Sequence, residues 1–537
     1  MKSGAPCCAG GSCEPKSRYP VQPKITISNK DWKQPASPAS PQFNQGCCGA
    51  NSTCCGPKNT ASPPFTYSGA NLAAVDFPVG GFGAGNVKIA GDGTIDKYTI
   101  LNQPAECISF MPNNFFGIST APTNNPSQKQ SFVLQSPETY TTENCNLPTT
   151  EPAHVPRGSV KRLKNLPGIN SITLTGKYPI ANLKYNITNF PINVSMEATS
   201  PCIPQDVKNS SLPCGIFTFT VSNPSATESM HVRILQSQQN IIGWDGISDC
   251  SEGSNTNWGG NINTPSESST CSSLSMSTTN VATDNGNMNL SGIKSVNSNV
   301  TVITSAKDSE DIFNKFVTNQ DQSAKNASAS SPSFDSVSTC CGIVQSITLA
   351  PSQTATLTFV LSWYFPTRTL TGMGLQGWSK ILPSDIGNRY CDWFQNSADV
   401  INYVLEKYDY LLDTTRLYTE TMFASTIPPE LLDSAAGRVA CMRSATMFWT
   451  NQSCSLNYGS NGCILGSEGN GCCMLNCTHV YGYTTLMERL FPSFAKDRRI
   501  SDFVRNFDIT QGKVEKSISF YIILNHSFQN ESKTSDH

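Results

Sequence analysis

The sequence predicts a multidomain α+β protein with a β-sandwich in its N-terminal half and helices in its C-terminal half. Apolar and polar residues alternate with a period of two in short runs between about residues 70 and 370. After residue 366 the apolar residues recur at helical intervals. The chain has 537 residues, 38% of them hydrophobic, which is enough for a large core spread over roughly two to four domains.

The charge balance excludes one class of partner. The 37 basic and 39 acidic side chains leave a formal charge of −2, so no nucleic acid or other polyanion is expected to bind. Charged residues make up 14% of the chain, against about 25% in an average globular protein, and Ser, Thr and Asn take their place. No apolar run approaches the roughly 20 residues that a membrane-spanning helix needs.

Residues 1–66 are predicted to form a disordered tail, because they are rich in Cys, Pro, Gly and Ser and lack periodic apolar residues. Their paired cysteines are interpreted as unmodified thiols, with acylation or metal binding as alternatives. These pairs are Cys7 and Cys8, Cys47 and Cys48, and Cys54 and Cys55. Lys2 stands where N-myristoylation requires glycine.

The N-terminus shows no apolar export segment, so we expect a cytoplasmic protein, with peripheral membrane contact left open. The 22 cysteines are then expected to be reduced rather than paired in disulfides. Asn-x-Ser/Thr triplets at Asn186, Asn193 and Asn299 are attributed to composition rather than to glycosylation.

A β-sandwich domain is predicted over residues 67–370, with each strand burying one face. Its strand signals are ITLT at 172–175, INVSM at 192–196, IFTFTV at 216–221, VRIL at 232–235, VTVI at 300–303 and ATLTFVL at 355–361. The stretch from Gly246 to about Gly342 is rich in Ser, Asn and Thr. It is predicted to form long surface loops, apart from residues 299–304.

A helical domain is predicted over residues 371–537. Its first apolar face consists of Phe394, Ile401, Leu405, Tyr408 and Leu412, and its second of Leu432, Ala436 and Val439. Pro428 and Pro429 separate the two, since proline suits the first turn of a helix but not its interior.

The glycine-rich stretch FPVGGFGAGN at residues 77–86 invites comparison with phosphate-binding loops. The stretch that follows indicates a strand and a turn rather than a helix, and the Lys-Ser/Thr pair of such loops is missing. We therefore interpret residues 80–85 as a turn whose backbone closely approaches a neighbouring element or a ligand.

A second candidate site is GSEGNGCCMLNCTHVYGY at residues 466–483. Glu468 stands among small, flexible residues that can present a carboxylate at a cavity, although a solvated surface glutamate is the simpler interpretation. Cys472, Cys473, Cys477 and His479 suggest zinc, but adjacent cysteines cannot easily share one tetrahedral ion. No metal or cofactor is predicted.

This segment resembles the loop that carries the nucleophilic glutamate in glycoside hydrolase family 116, the non-lysosomal glucosylceramidases and microbial β-glucosidases. The matching residues are Glu468 with Gly469, Asn476, and HVYGY at 479–483, followed by LFP at 490–492. The resemblance extends over about residues 70–503. It runs through MFWT at 447–450, IPPELLD at 427–433, WF at 393–394, WYFP at 363–366 and PVGGFGAG at 78–85.

The resemblance implies a β-sandwich packed on an (α/α)6 toroid, of which this chain would hold the first part. It also implies a retaining β-glucosidase acting on glucosylceramide or related β-glucosides, with Glu468 as nucleophile. His479 falls where the glucosylceramidases have a sugar-contacting aspartate, although it could simply pack or cap its helix. Tyr481 and Trp449 are candidates for the sugar pocket, with core packing as the alternative. The turn at residues 80–85 is expected near the active-site face.

Retention requires a second carboxyl group about 5–5.5 Å from the nucleophile. In the family this is an aspartate more than a hundred residues further on, whereas 69 residues follow Glu468 here. Glu488, Asp497 and Asp502 match no such acid. We therefore expect a truncated, inactive chain. The alternatives are a non-catalytic glycan- or lipid-binding protein and a cysteine-rich metal-binding protein; the sequence leaves the oligomeric state open.

Overall fold

The computed structural model describes residues 64–102, 111, 113–136, 163, 165–244, 259–280, 286–334, 339–369, 384–444, 447–452, 464–466, 485–500, 507–508 and 513–514. All of them fall within one compact unit, Ala61–His537. Only the last three residues of the predicted tail are among them, and the boundaries of the three predicted domains stay predictions. Every helix in these ranges is too short or too polar to cross a bilayer.

Two antiparallel sheets account for most of the strands. The larger has nine strands in the order β1 (Thr66–Ser68), β7 (Ser171–Lys177), β8 (Ile180–Asn186), β9 (Asn193–Thr199), β10 (Cys214–Ser222), β18 (Thr354–Tyr364), β14 (Asn287–Ile293), β13 (Cys271–Thr278) and β12 (Asn261–Glu267). The smaller has six in the order β16 (Gln322–Ser323), β15 (Ser298–Ala306), β17 (Cys340–Leu349), β11 (Met230–Gln239), β5 (Phe116–Pro122) and β6 (Gln130–Val133).

The two sheets pack face to face, as the sequence predicts for this half of the chain. Phe116 on β5 lies 5.5 Å from Phe217 and 5.2 Å from Phe219 on β10, measured between ring centroids. Apolar side chains of both sheets belong to one buried cluster. Five of the six predicted strand signals lie wholly on strands, namely β7, β10, β11, β15 and β18, and the sixth, at residues 192–196, begins one residue before β9.

The prediction of surface loops between Gly246 and Gly342 is wrong for most of the residues described there. Most of them form β12 to β16, the start of β17 and the helix α2 (Ser309–Val317), whereas residues 324–334 lie outside helices and strands. Leu274 and Met276 on β13 alternate with serines and are fully buried, as are Met288 and Leu290 on β14. The abundance of serine and asparagine in this stretch is typical of loops, so the composition does not reveal the alternation. Both residue types can lie in a sheet when their polar groups find hydrogen-bond partners.

Hydrogen bonds between neighbouring strands provide those partners. The Ser273 and Ser291 hydroxyls lie 2.6 Å apart, and Ser291 donates to Asn289 Oδ1 at 2.8 Å. Asn240 Nδ2 donates to Asn263 Oδ1 at 2.9 Å. Buried polar side chains are therefore tolerated in this part of the sheet without a loop.

The remaining strands form three smaller sheets. These are β2 (Asp76–Gly81), β3 (Gly85–Ala90) and β4 (Ile95–Thr99); β19 (Met447–Trp449) and β20 (Ile464–Gly466); and β21 (Phe507–Asp508) and β22 (Lys513–Val514). All strand pairs within them are antiparallel.

The helices are α1 (Val207–Ser210), α3 (Ser397–Glu406), α4 (Tyr408–Phe423), α5 (Pro429–Ala440), α6 (Thr485–Leu490) and α7 (Pro492–Ile500). The first predicted apolar face is divided between α3 and α4, which are separated by Lys407. Helix α5 begins at Pro429 and buries Leu432, Ala436 and Val439, as predicted.

The larger sheet departs from the predicted burial of one face. Ile216 on β10 and Val360 on β18 point away from the sandwich interior, yet both are fully buried. They share a cluster with Val400 and Val404 of α3 and with Leu411 of α4. Helices α3 and α4 thus cover the outer face of the central strands, whereas β8 keeps the alternation of buried and exposed residues typical of one covered face.

A buried ion pair lies beside the C-terminal end of α2. Arg233 on β11 pairs with Asp321, and the side chain of each is only 8% exposed. Arg233 Nη1 also donates to the Phe316 carbonyl at 2.7 Å, and Asp321 accepts from Thr301. Breaking such a pair leaves an uncompensated buried charge, whereas replacing both partners by apolar residues often costs little.

We expect Asp321→Ala to lower the free energy of unfolding by about 3–5 kcal/mol, because Arg233 then loses its counter-charge. The double variant Arg233→Met/Asp321→Leu is expected to lose less. Asp413→Ala is the control, since the Asp413 side chain is 75% exposed in its 3.4 Å pair with Arg416, and such pairs contribute about 0–1 kcal/mol. Equal losses in Asp321→Ala and Asp413→Ala by denaturant unfolding would contradict this account.

Asp76 on β2 accepts from Lys88 Nζ at 2.9 Å and from Lys97 Nζ at 3.0 Å. Burial by itself raises the pKa of Asp76, but the attraction and hydrogen bonds of the two lysines outweigh it and hold the pKa below its usual value. A lowered folded-state pKa stabilises the protein above the unfolded-state pKa, and this stabilisation is lost as the pH falls through the folded-state value.

We therefore expect Asp76→Asn to unfold more easily than the unchanged protein at neutral pH. The difference should shrink below about pH 4, as Asp76 becomes protonated in the unchanged protein. Urea unfolding of both proteins across the acid range measures it. A difference that grows on acidification would contradict the expectation.

Candidate active site

The structure describes one of the four residues predicted for the site. Glu468, His479 and Tyr481 lie outside the described residues, as do the cysteines of the zinc alternative, so their roles stay predictions. Trp449 is described, together with the strands on either side of the gap that precedes Glu468.

The chain reaches Glu468 through the hairpin formed by β19 and β20. Met447 pairs with Gly466, and Trp449 pairs with Ile464. Gly466 is two residues before Glu468, so covalent geometry keeps their Cα atoms within about 7 Å of each other. The hairpin is therefore the described part of the chain that directly precedes the predicted nucleophile.

Trp449 is packed in the core beneath this hairpin. Its side chain is 5% exposed, and its ring lies 5.6 Å from that of Trp393 and 5.2 Å from that of Phe494, both in edge-to-face contact. This is the packing role that the sequence left open for Trp449. Its contact with a sugar stays a prediction.

Arg389 connects the two tryptophans. Its guanidinium carbon lies 5.4 Å from the ring centroid of Trp393 and 5.5 Å from that of Trp449. Arg389 Nη1 donates to Asp392 Oδ2 at 2.7 Å, and the same oxygen accepts from the backbone N–H of Gln452 at 2.8 Å. Gln452, three residues after the end of β19, is thereby attached to the segment before α3.

The glycine turn between β2 and β3 packs against the other side of this core. Phe82 at its tip lies 4.7 Å from Phe491, while the Gly83 N–H donates to the Met442 carbonyl at 3.0 Å. A Cβ atom on Gly81 would lie 2.5 Å from the carbonyl oxygen of Leu212. The predicted close approach of the turn to a neighbouring element is confirmed.

Arg443 is buried at the junction of the glycine turn and the helices. Its side chain is fully enclosed, donates from Nη2 to the Pro201 carbonyl at 2.6 Å, and lies over the rings of Phe82 and Tyr178 at 5.2 and 5.4 Å. Its own carbonyl accepts from Asn86 Nδ2 at 2.6 Å. Backbone and rings thus hold the short 3-10 helix before β19.

A polar network lies where several segments meet at the end of the sandwich. Asn102 Oδ1 accepts from Arg368 Nη2 at 2.9 Å and from Asn388 Nδ2 at 2.8 Å, and the Arg368 N–H donates to Asp385 at 2.9 Å. Burial lowers the pKa of Arg368 to about 10, so it still carries a charge at neutral pH. The backbone N–H of Asn451 donates to the Ile386 carbonyl at 3.1 Å, so this network adjoins the hairpin.

The other carboxylates singled out from the sequence have different positions. Glu488 is exposed on α6, Asp497 is partly buried on α7, and Asp502 lies outside the described residues. Within the part of the chain that the structure describes, no group of three or more His, Cys, Asp or Glu side chains is arranged to hold a metal ion.

Arg389, Asp392 and Arg443 were not singled out from the sequence. Arg389 and Trp449 are 60 positions apart, and neither residue belongs to a local pattern that indicates their contact. In the sequence, Trp393 is notable only for its place in the resemblance, and Phe394 for that and for the predicted apolar face.

Two glycine substitutions test the close approach of the turn. Gly81→Ala should lower the free energy of unfolding by about 1–3 kcal/mol, because backbone atoms must move to admit the methyl group. Gly437→Ala on α5 is the control. Its Cβ meets nothing within 4 Å, so it should stabilise the helix by up to about 1 kcal/mol. Thermal unfolding of both variants measures the contrast, and equal effects would rule out the steric account.

A comparison with protein families matches residues 76–411 to the family described as "beta-glucosidase 2, glycosyl-hydrolase family 116 N-term". The match covers the three-stranded sheet, most of both large sheets, α3 and the start of α4. A search of curated proteins found no match. Because the family match spans more than half of the chain, the chain belongs to glycosyl-hydrolase family 116, a family of glycoside hydrolases of the β-glucosidase type.

Proposed function

We propose that this protein is a retaining β-glucosidase in which Glu468 is the nucleophile. The family match over residues 76–411 is the observation that carries the proposal. The motif around Glu468 and the attachment of its hairpin to the matched region support the assignment of the nucleophile. Asp392, which binds the Gln452 N–H, and Arg389 both lie within the matched residues.

The reaction proceeds in two covalent steps. A carboxylate oxygen of Glu468 forms a bond to the anomeric carbon as the bond from that carbon to the leaving oxygen breaks. The leaving oxygen keeps the electron pair and takes a proton from a second carboxyl group. Water then attacks the anomeric carbon, gives its proton to that carboxylate, and releases Glu468 and a sugar of unchanged configuration. None of Glu488, Asp497 and Asp502 matches the second acid, so we propose that this chain does not turn over unactivated β-glucosides.

Close packing of the described residues around the β19–β20 hairpin supports this proposal. Trp449, Phe494 and Ile464 are buried beneath the hairpin, so the strand that leads to Glu468 lies on close-packed side chains. We propose that His479 and Tyr481 contact the sugar, and that Trp449 supports the pocket from below. Helices α3, α4 and α5 are proposed as the first helices of an (α/α)6 toroid.

The substrate class proposed is a β-glucoside with an apolar aglycone, such as glucosylceramide. Such a substrate is a lipid, so the protein would act in the cytoplasm at a membrane surface.

An activated aryl β-glucoside with fluorine in place of the hydroxyl group next to the anomeric carbon should label Glu468. Its phenolate leaves without a proton, so labelling does not depend on the acid, and the fluorine slows hydrolysis of the intermediate. Intact mass and peptide mapping should find one glucosyl group, on Glu468. Glu468→Gln should abolish labelling, because an amide cannot serve as the nucleophile.

Glu488→Gln is the matched control, since Glu488 is an exposed carboxylate on α6 and should label at the unchanged rate. Labelling that persists in Glu468→Gln would refute the assignment of the nucleophile. A protein that binds β-glucosides but is never labelled would instead be the non-catalytic glycan-binding protein.

A further inference from the structure

The hairpin of β19 and β20 is attached to the segment before α3 at two backbone positions. The Asn451 N–H donates to the Ile386 carbonyl at 3.1 Å, and the Gln452 N–H donates to Asp392 Oδ2 at 2.8 Å. The two donors are the second and third residues after β19. These bonds fix the end of the strand along its axis but leave its rotation about that axis to side-chain packing.

Arg389 is placed to control that rotation. Its guanidinium lies over both indoles, at 5.4 and 5.5 Å, and the two indoles meet edge to face at 5.6 Å. The Arg389 side chain is 12% exposed, so the contact is largely shielded from water. Trp449 is the β19 residue that pairs with Ile464, so a turned indole would move β20 as well.

The ion pair with Asp392 makes this contact directional. Asp392 Oδ2 accepts from Arg389 Nη1 and from the Gln452 N–H, so one carboxylate oxygen joins the guanidinium to the backbone after β19. A planar guanidinium can stack on rings and donate in its plane at the same time, whereas an ammonium group has no plane to orient. Lysine would keep the charge and lose the geometry.

We propose that Arg389 is a positioning residue, which fixes the orientation of the β19–β20 hairpin; its second strand ends two residues before the proposed nucleophile Glu468. This inference rests on the proposed function for its effect on catalysis. Its structural part, the control of the hairpin by Arg389, rests only on the contacts described above. A displacement of about 1 Å in a reacting group can reduce a rate by about 100-fold, so a small rotation of β20 is sufficient.

The first test follows the rate of labelling by the fluorinated aryl glucoside in Arg389→Met and Arg389→Lys. The limiting rate constant should fall by about 10- to 100-fold in Arg389→Met, and less in Arg389→Lys. The concentration that gives half-maximal rate should change by less than about twofold, because Arg389 does not touch the sugar in this proposal.

Arg416→Met is the matched control. Arg416 forms a bidentate pair with Glu197, at 2.8 Å from Nη2 and 3.1 Å from Nε, which joins α4 to β9 away from the hairpin. Arg416→Met also removes a partly buried cation, whose side chain is 35% exposed, and some thermal stability, but the limiting rate constant should stay unchanged. An equal fall in Arg389→Met and Arg416→Met would show a loss of stability alone and overturn the inference.

The second test needs no activity. Hydrogen exchange at the amides of residues 447–449 and 464–466 should be faster in Arg389→Met than in Arg416→Met, and intermediate in Arg389→Lys. If the unchanged protein is not labelled, the proposed function fails, and the exchange rates still decide whether Arg389 holds the hairpin. Equal exchange in all three variants would overturn the inference whether or not labelling occurs.

Discussion

The central strands of the larger sheet are apolar on both faces, and this constraint determines how the rest of the chain is arranged. Phe217 and Phe359 face the smaller sheet, while Ile216 and Val360 face the helices. Each Å² of apolar surface removed from water contributes about 25 cal/mol, so neither face can be left uncovered without a large loss of stability. Helix α3 therefore belongs to the same folding unit as the sandwich.

A series of side-chain contacts connects the larger sheet to the candidate site. Trp363 at the end of β18 donates from its indole to the Ala84 carbonyl at 2.8 Å, which holds the glycine turn against the sheet. Phe82 at the tip of the turn contacts Phe491 and Phe494, and Phe494 contacts Trp449. The position of the hairpin is thus determined by the sandwich through a short series of ring contacts.

Sequence alternation was sufficient to locate strands such as β10 and β18, because their apolar residues are large and their polar residues are threonines. It failed at β13 and β14, where Leu274 and Met288 alternate with serine and asparagine that composition assigns to loops. Buried Ser273 on β13 has its partner, Ser291, on the neighbouring strand β14, and such pairing is not visible in a single strand. The packing of α3 on the outer face of the larger sheet could not be predicted either, because it also joins segments that are distant in the sequence.

In the candidate site, too, some residues could be predicted from the sequence and others could not. Glu468 was identified through a resemblance of local motifs, whereas Arg389 has no local motif, since its partners Trp393 and Trp449 meet only after the chain has folded. The glycine turn at residues 80–85, in contrast, could be interpreted correctly, because its closely spaced glycines by themselves indicate that the backbone approaches a neighbouring element. Features that depend on one segment can be predicted from sequence, and features that depend on two distant segments require the fold.

Two arginines near the hairpin, Arg389 and Arg443, have their guanidinium planes oriented mainly by rings, carbonyl groups and a carboxylate. Arg443 is held by the Pro201 carbonyl and the faces of two rings, and Arg389 by two rings and one carboxylate. Rings and carbonyls orient a guanidinium plane without the long, hydrated side chains of a surface ion pair. Because these contacts are buried, dissolved salt screens them weakly. If Arg389 positions the hairpin as proposed, the orientation of the hairpin should therefore change little with ionic strength.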